Sequence, residues 1–156
     1  MKISVVITAY NEEVYLPQCL KALAAQDYPQ ENFEIIVVDN NSTDKTVEIA
    51  KSFGARVIGE KRQGYVFGLN TGMRAALGEI IAVTDADTVV SKDWLKSIAN
   101  SFDETGVSAV TGSLDNLSSN RVVNFLMTSF FTIFLKVGVA LGLPHISGFN
   151  FAVKRA

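Results

Sequence analysis

Short runs of aliphatic and β-branched residues alternate with helix-patterned segments along most of this chain, and that alternation restricts the fold more than any other feature. Ile3-Ser4-Val5-Val6-Ile7-Thr8 has almost no polar face, which is how a strand buried on both sides reads. Val14, Leu16, Cys19, Leu20 and Leu23 then recur at helical spacing, with Asn11 offering a cap, Glu12 and Glu13 in the first turn, and Tyr28-Pro29 as a stop. The pattern repeats: strand 33–39, helix 45–53, strand 56–59, helix 64–77, strand 80–84, helix 91–102 capped by Ser91, and strand 107–111. A further strand over 145–153 fits the last residues. Strands joined by helices require crossover connections, so the chain is expected to form a three-layer α/β/α domain around a mainly parallel, Rossmann-like sheet.

In such a sheet ligands bind beyond the carboxyl ends of the strands. Three expected strands end in polar residues: the first runs into Thr8-Ala9-Tyr10-Asn11-Glu12, the second ends at Asp39, and the fourth at Asp85-Ala86-Asp87. These loops are expected to share one crevice. Two carboxylates one residue apart on a turn leaving a strand can face one hard cation. Mg2+ or Mn2+ would accept those oxygens and keep positions open for a diphosphate. The plain alternative for Asp85 and Asp87 is a helix-capping turn with solvated acids, and Asp-x-Asp alone is common. Asp39 can accept hydrogen bonds from a base or ribose, or cap the next helix, with Asn41, Ser42 and Asp44 as rivals for that task. Lys61-Arg62 before Gly64 puts cations near a glycine turn where phosphate oxygens could sit, or else leaves two solvated surface charges.

Other chemistries find no support. The net charge is −2, from 14 basic and 16 acidic residues, which gives no basic field for nucleic acid. Cys19 is the only cysteine, which rules out an intramolecular disulfide and a Cys-rich zinc site; it reads as a small buried hydrophobe. His145 is the only histidine and has no nucleophile pattern around it. The glycines at 64, 68, 72 and 78 do not have dinucleotide-binding spacing, and no P-loop or nucleophile elbow occurs. Glu12 and Glu13 fall where a signal-peptide cleavage region would lie. From 122 to 143 the chain is almost wholly apolar, but Asn124 and Lys136 interrupt it. A long apolar helix is expected there, at a core or subunit interface, then at a membrane surface, and only last as a span.

Taken together, Val5-Val6-Ile7-Thr8-Ala9-Tyr10-Asn11-Glu12, Ile36-Val37-Val38-Asp39 with Asn40 to Asp44, Lys61-Arg62-Gln63-Gly64, Asn70-Thr71-Gly72 with Ala76-Leu77-Gly78-Glu79, and Thr84-Asp85-Ala86-Asp87-Thr88 resemble the family 2 inverting glycosyltransferases in order and spacing. The resemblance implies the GT-A fold and transfer from a UDP- or GDP-sugar by single displacement at the anomeric carbon, at a site with Mg2+ or Mn2+. It implies that Thr8, Ala9, Tyr10 and Glu12 line the nucleoside pocket, with Asp39 at the base or ribose and Arg62 and Gly64 near the base or diphosphate. Asp85 would sit at the ribose or metal, and Asp87 would be the main metal ligand and the catalytic residue. The family's general base, an acidic pair further along, finds no match after Gly148, so residues 1–156 are expected to form one nucleotide-sugar-binding domain without an acceptor part. Ser147-Gly148-Phe149 is similar to the polyprenyl-phosphate glycosyltransferase subgroup, but Asn150 and Val89 stand where that subgroup has Arg and Gln. The implied acceptor is a lipid phosphate or a saccharide, and the implied location is cytoplasmic, at most peripheral to the inner membrane face. Homo-oligomer contact through 122–143 fits as well. The rival readings are a non-catalytic nucleotide-sugar-binding module, half of a split enzyme, and a sugar-nucleotide nucleotidyltransferase.

Overall fold

A computed structural model of the chain describes residues 1–112 and 150–155. The apolar segment 122–143, His145 and the first half of the expected last strand lie outside the described residues. The apolar runs form strands β1 (Ile3–Ala9), β2 (Phe33–Asp39), β3 (Arg56–Gly59), β4 (Ile80–Thr84), β5 (Ala109–Thr111) and β6 (Asn150–Lys154). Helices α1 (Leu16–Ala24), α2 (Thr46–Ser52), α3 (Tyr65–Ala75) and α4 (Trp94–Asp103) lie between them. Together the strands make one mixed sheet in the order β3-β2-β1-β4-β6-β5. β3, β2, β1 and β4 are parallel neighbours, whereas β6 runs antiparallel to both β4 and β5.

The sheet separates two cores. Ile3, Val5 and Ile7 face a core with Leu16, Leu20 and Leu23 of α1, Ala50 of α2, and Leu95, Ile98 and Phe102 of α4. Val6, Ile36, Val38, Ile81 and Val83 face the other, with Leu69 and Met73 of α3. The alternation of faces follows from the two-residue period of a strand. The connections advance outward from β1 through β2 to β3 with α1 and α2 on one face. The next connection returns across the sheet to β4 with α3 on the opposite face. Reversing direction moves the crossover helix to the other side, so a crevice opens between β1 and β4 at their carboxyl ends. Thr8 to Glu12 and Asp85 to Asp87 leave the sheet at that crevice.

Helix starts differ from the sequence expectation. Asn11 does not cap α1: it has a left-handed φ of 55°, and regular helix begins at Leu16 with a proline in the first turn. The carbonyl of Glu12 accepts from Leu16 N–H at 2.9 Å, so residues 12–15 form turns leading into the helix. Ser91 does not cap α4 either. Its hydroxyl bonds to Asp93, and the Leu95 N–H donates to Gln26 Oε1 at 2.9 Å, so the end of α1 caps α4. α3 lies close on the sheet through glycines. A Cβ on Gly68 would run into Thr8 Cγ2, and one on Gly72 into Val6 Cγ1.

Among the described residues no helix is long and apolar enough to cross a membrane. Cys19 is buried, as its place on the apolar face of α1 requires.

Candidate functional site

Parallel register brings the strand ends level. Ala9 pairs with Asp39, and Asp39 with Gly59. The loops after β1 and β2 are then tied to each other. Asn11 N–H donates to Ser42 Oγ at 3.0 Å, and Thr43 N–H donates back to Asn11 Oδ1 at 2.8 Å. Glu12 N–H donates to Thr46 Oγ1 at 2.8 Å. Asn11 and Asn41 both take left-handed conformations here, with φ of 55° and 68°. Asparagine tolerates that region better than most residues, which lets both chains turn sharply off the sheet.

Each predicted site residue can be placed on this frame. Ala9 is buried, and Thr8 is half-buried with a hydroxyl oxygen that has no hydrogen-bond partner. That oxygen is buried beside Gly68 of α3, and Thr84 Oγ1 is a second buried hydroxyl oxygen without a partner among the described residues. The Tyr10 ring is 49% exposed on the rim. Asp39 is half-buried and does not cap α2: its Oδ1 accepts the Ser42 N–H at 3.1 Å and closes a turn. Asp44 takes the capping role, accepting the Thr46 N–H at 2.9 Å. Asp85 is half-buried and Asp87 exposed.

Electrostatics bind Glu12, Asp85 and Asp87 into one group. Burial raises the Asp85 carboxyl to about 6, and the charges of Asp87 and Glu12 add to it. Glu12 is raised as well, by burial and then by Asp87 and Asp44. Tyr65 is raised by burial and by Asp85, which brings the start of α3 to the same crevice. The Cys19 thiol, in hydrogen-bond contact with the Asp85 carbonyl, is pushed up to about 12 by burial first and then by the two aspartates. The ion pairs among the described residues are Arg56–Glu34 and Arg62–Glu60, and neither reaches these acids. Carboxylates that repel one another with no cation between them suit a hard divalent ion. Among the described residues no group of three or more His, Cys, Asp or Glu could hold a metal. An ion of the Mg2+ or Mn2+ type does not need such a group: one or two carboxylates hold it, and water and phosphate oxygens complete its shell.

Arg62 is exposed, as a surface charge would be, and it is also paired with Glu60. Glu60 accepts from its backbone N–H, Nε and Nη2 at 2.8, 3.0 and 2.9 Å. Lys61, beside it, is exposed. The loop that carries them is fixed by Asn40, which sequence reasoning passed over. Asn40 is 3% exposed; its Nδ2 donates to the carbonyls of Glu60 and Arg62, and its Oδ1 accepts the Gly64 N–H at 2.7 Å. Gly64, with φ of 131°, then opens α3. A cavity of about 140 Å³ lies between α4 and β5–β6, and none of the predicted site residues lines it.

Comparison with known proteins places this arrangement in a family. The model of glycosyl transferase family 2 matches residues 4–156. A glycosyltransferase of Haloferax volcanii, AglE, is 35% identical over 72% of this chain and 39% of its own length. The mannosyltransferase PcManGT from Pyrobaculum calidifontis, solved with GDP-Man and Mn2+, superposes with a TM-score of 0.76 at 28% identity, over 99% of this chain and 44% of that one. Staphylococcus aureus TarS 1–349, solved with UDP-GlcNAc, gives a TM-score of 0.68 at 29% identity, over 78% of this chain and 37% of that one. The chain thus spans less than half the length of each of these relatives.

Proposed function

This chain belongs to glycosyl transferase family 2 and has the GT-A fold, and from that premise we infer that it holds a UDP- or GDP-sugar and a divalent cation at the carboxyl ends of β1, β2 and β4. The observation that carries the reading is the unbalanced acid group at the β1–β4 crevice, where Asp85 is raised to about 6 by burial, Asp87 and Glu12. A metal on Asp85 and Asp87 would offset the charge that develops on the departing diphosphate. Thr8, Ala9, Tyr10 and Glu12 border the nucleoside, with Asp39 at the base or ribose. Arg62 and Gly64 meet the donor from the β3–α3 loop. The Asn11–Ser42 and Asn11–Thr43 bonds hold these elements in place before the donor arrives, which lowers the ordering cost of binding.

In the reaction an acceptor oxygen bonds to the anomeric carbon as the bond to the nucleoside diphosphate breaks. Lipid phosphates and saccharides are the acceptor classes we propose. A phosphate acceptor is already ionised and needs no proton removed. Calorimetry with UDP and GDP, each with Mn2+ and with Mg2+, tests the donor site. We expect metal-dependent binding that Asp87→Ala abolishes; equal binding by the variant would sink the assignment. Transfer from UDP- or GDP-sugars to either acceptor class separates an enzyme from a binding module.

A further inference from the structure

We propose that Glu60 is a positioning residue of the donor site, a buried carboxylate whose task is to hold the Arg62 guanidinium in one orientation toward the nucleotide. The proposal rests on the donor-site reading above and adds a residue to it. Glu60 is 8% exposed, whereas the Arg62 side chain is 63% exposed. A buried acid thus holds an outward-facing cation at two side-chain nitrogens, Nε at 3.0 Å and Nη2 at 2.9 Å. That side-on, two-point grip fixes the plane of the guanidinium. Thr71, one turn along the inner half of α3, donates its hydroxyl to the same carboxylate. Phe67 supplies the face beneath, with the guanidinium carbon 4.7 Å from the ring centroid.

These contacts exceed what an ordinary surface ion pair needs. An exposed arginine paired with an exposed acid gains little and stays mobile. Here Glu60 and Phe67 both contact the guanidinium, Thr71 braces the Glu60 carboxylate, and Arg62 borders a cleft. The cleft has a volume of about 120 Å³ and is lined by Arg62, Phe67, Asn70, Thr71 and Arg74. Asn40 fixes the Arg62 backbone to the end of β2, beside Asp39. Asn40 and Glu60 both hold the Arg62 backbone, and Glu60 also grips its side chain. Arg62 in turn holds the Glu60 carboxyl well below the usual carboxylate range, with the Thr71 hydroxyl helping, so the grip persists across the pH range of any binding assay.

A double-mutant cycle on the whole chain tests this, read by calorimetry with UDP and with GDP in the presence of Mn2+. Glu60→Gln should weaken nucleotide binding about three- to tenfold, and Arg62→Ala by at least as much. In the Arg62→Ala background Glu60→Gln should change affinity less than about twofold, because the residue it positions is gone. Glu60→Asp, which keeps the charge on a shorter arm, should recover part of the loss. If Glu60→Gln fails to fold, Thr71→Val reports instead, with a smaller loss that also vanishes in the Arg62→Ala background. Losses that multiply independently, or wild-type affinity in Glu60→Gln, overturn the positioning role while leaving the donor site standing. Absence of metal-dependent nucleotide binding in the wild type overturns the donor-site reading and this proposal together.

Discussion

In the proposed donor site, Asp85 sets stability against binding within a single side chain. Its carboxyl titrates near 6 because burial and the charges of Asp87 and Glu12 oppose ionisation, so at neutral pH the empty fold holds a charge it would rather lose. Removing that charge should stabilise the protein. Asp85→Asn is expected to gain on the order of 1 kcal/mol, a figure reduced from the full shift because the group is about half exposed and solvent screens it. Thermal melts without metal measure the gain, and calorimetry should show metal-dependent UDP or GDP binding lost in the same variant. An unchanged or lower melting temperature would contradict the account. Asp85 and Asp87 stood out in the sequence because the pair follows an apolar run, although Asp-x-Asp alone is common. Asn40 and Glu60 did not. Asn40 stands among five consecutive turn-forming residues, and its neighbours gave it no distinction. Its importance comes from carbonyls twenty or more positions away. Glu60 is legible only through Arg62 and Thr71, which the fold brings to it.

At the scale of elements, α3 depends on two missing side chains. Gly72 packs where a Cβ would meet Val6 Cγ1 and come within 3.0 Å of Val38 Cγ2. Gly72→Ala should therefore destabilise the protein by about 1–3 kcal/mol through overpacking, although alanine favours helix by about 1 kcal/mol. Gly59→Ala is the control, since no atom lies within 4 Å of its added Cβ. Urea unfolding should separate the two variants, and a neutral Gly72→Ala would contradict the close approach of α3 to Val6. The parallel strands were readable because burial on both faces leaves a continuous apolar run, as in Ile36-Val37-Val38. Helix starts were less readable because the caps come from elsewhere in the fold. Gln26 of the α1 end serves α4, and Asn11 spends its side chain on Thr43 rather than on its own helix.

For the molecule as a whole, two sets of acids give opposite pH dependences. Asp85 is raised, so the native state binds its proton first, and lowering pH from neutrality through about 6 stabilises the apo fold. Glu34 behaves the other way. Burial pushes its carboxyl up, but the Ser4 hydroxyl, the Leu77 N–H and Arg56 outweigh that and hold it below its ordinary value. Its contribution is present above the ordinary carboxylate range and is lost as pH falls through its depressed value; Glu60 follows the same sign. Apo stability should therefore rise as pH falls from neutrality through about 6 and decline again in the acid range. Melting curves across pH test this, with Asp85→Asn flattening the neutral limb and Glu34→Gln the acid limb. A maximum at neutral pH would overturn it. The overall α/β/α layering was legible from strand–helix alternation, but the antiparallel insertion of β6 between β4 and β5 was not, because strand order depends on pairings remote in sequence. That insertion also sets an order of events during synthesis. Among the described residues β5 pairs with β6 alone and β6 covers the edge of β4, so both pairings wait until Asn150–Lys154 has been made. Until then the Ile80–Thr84 edge lacks the strand that covers it in the folded sheet, and uncovered strand edges are where chains associate.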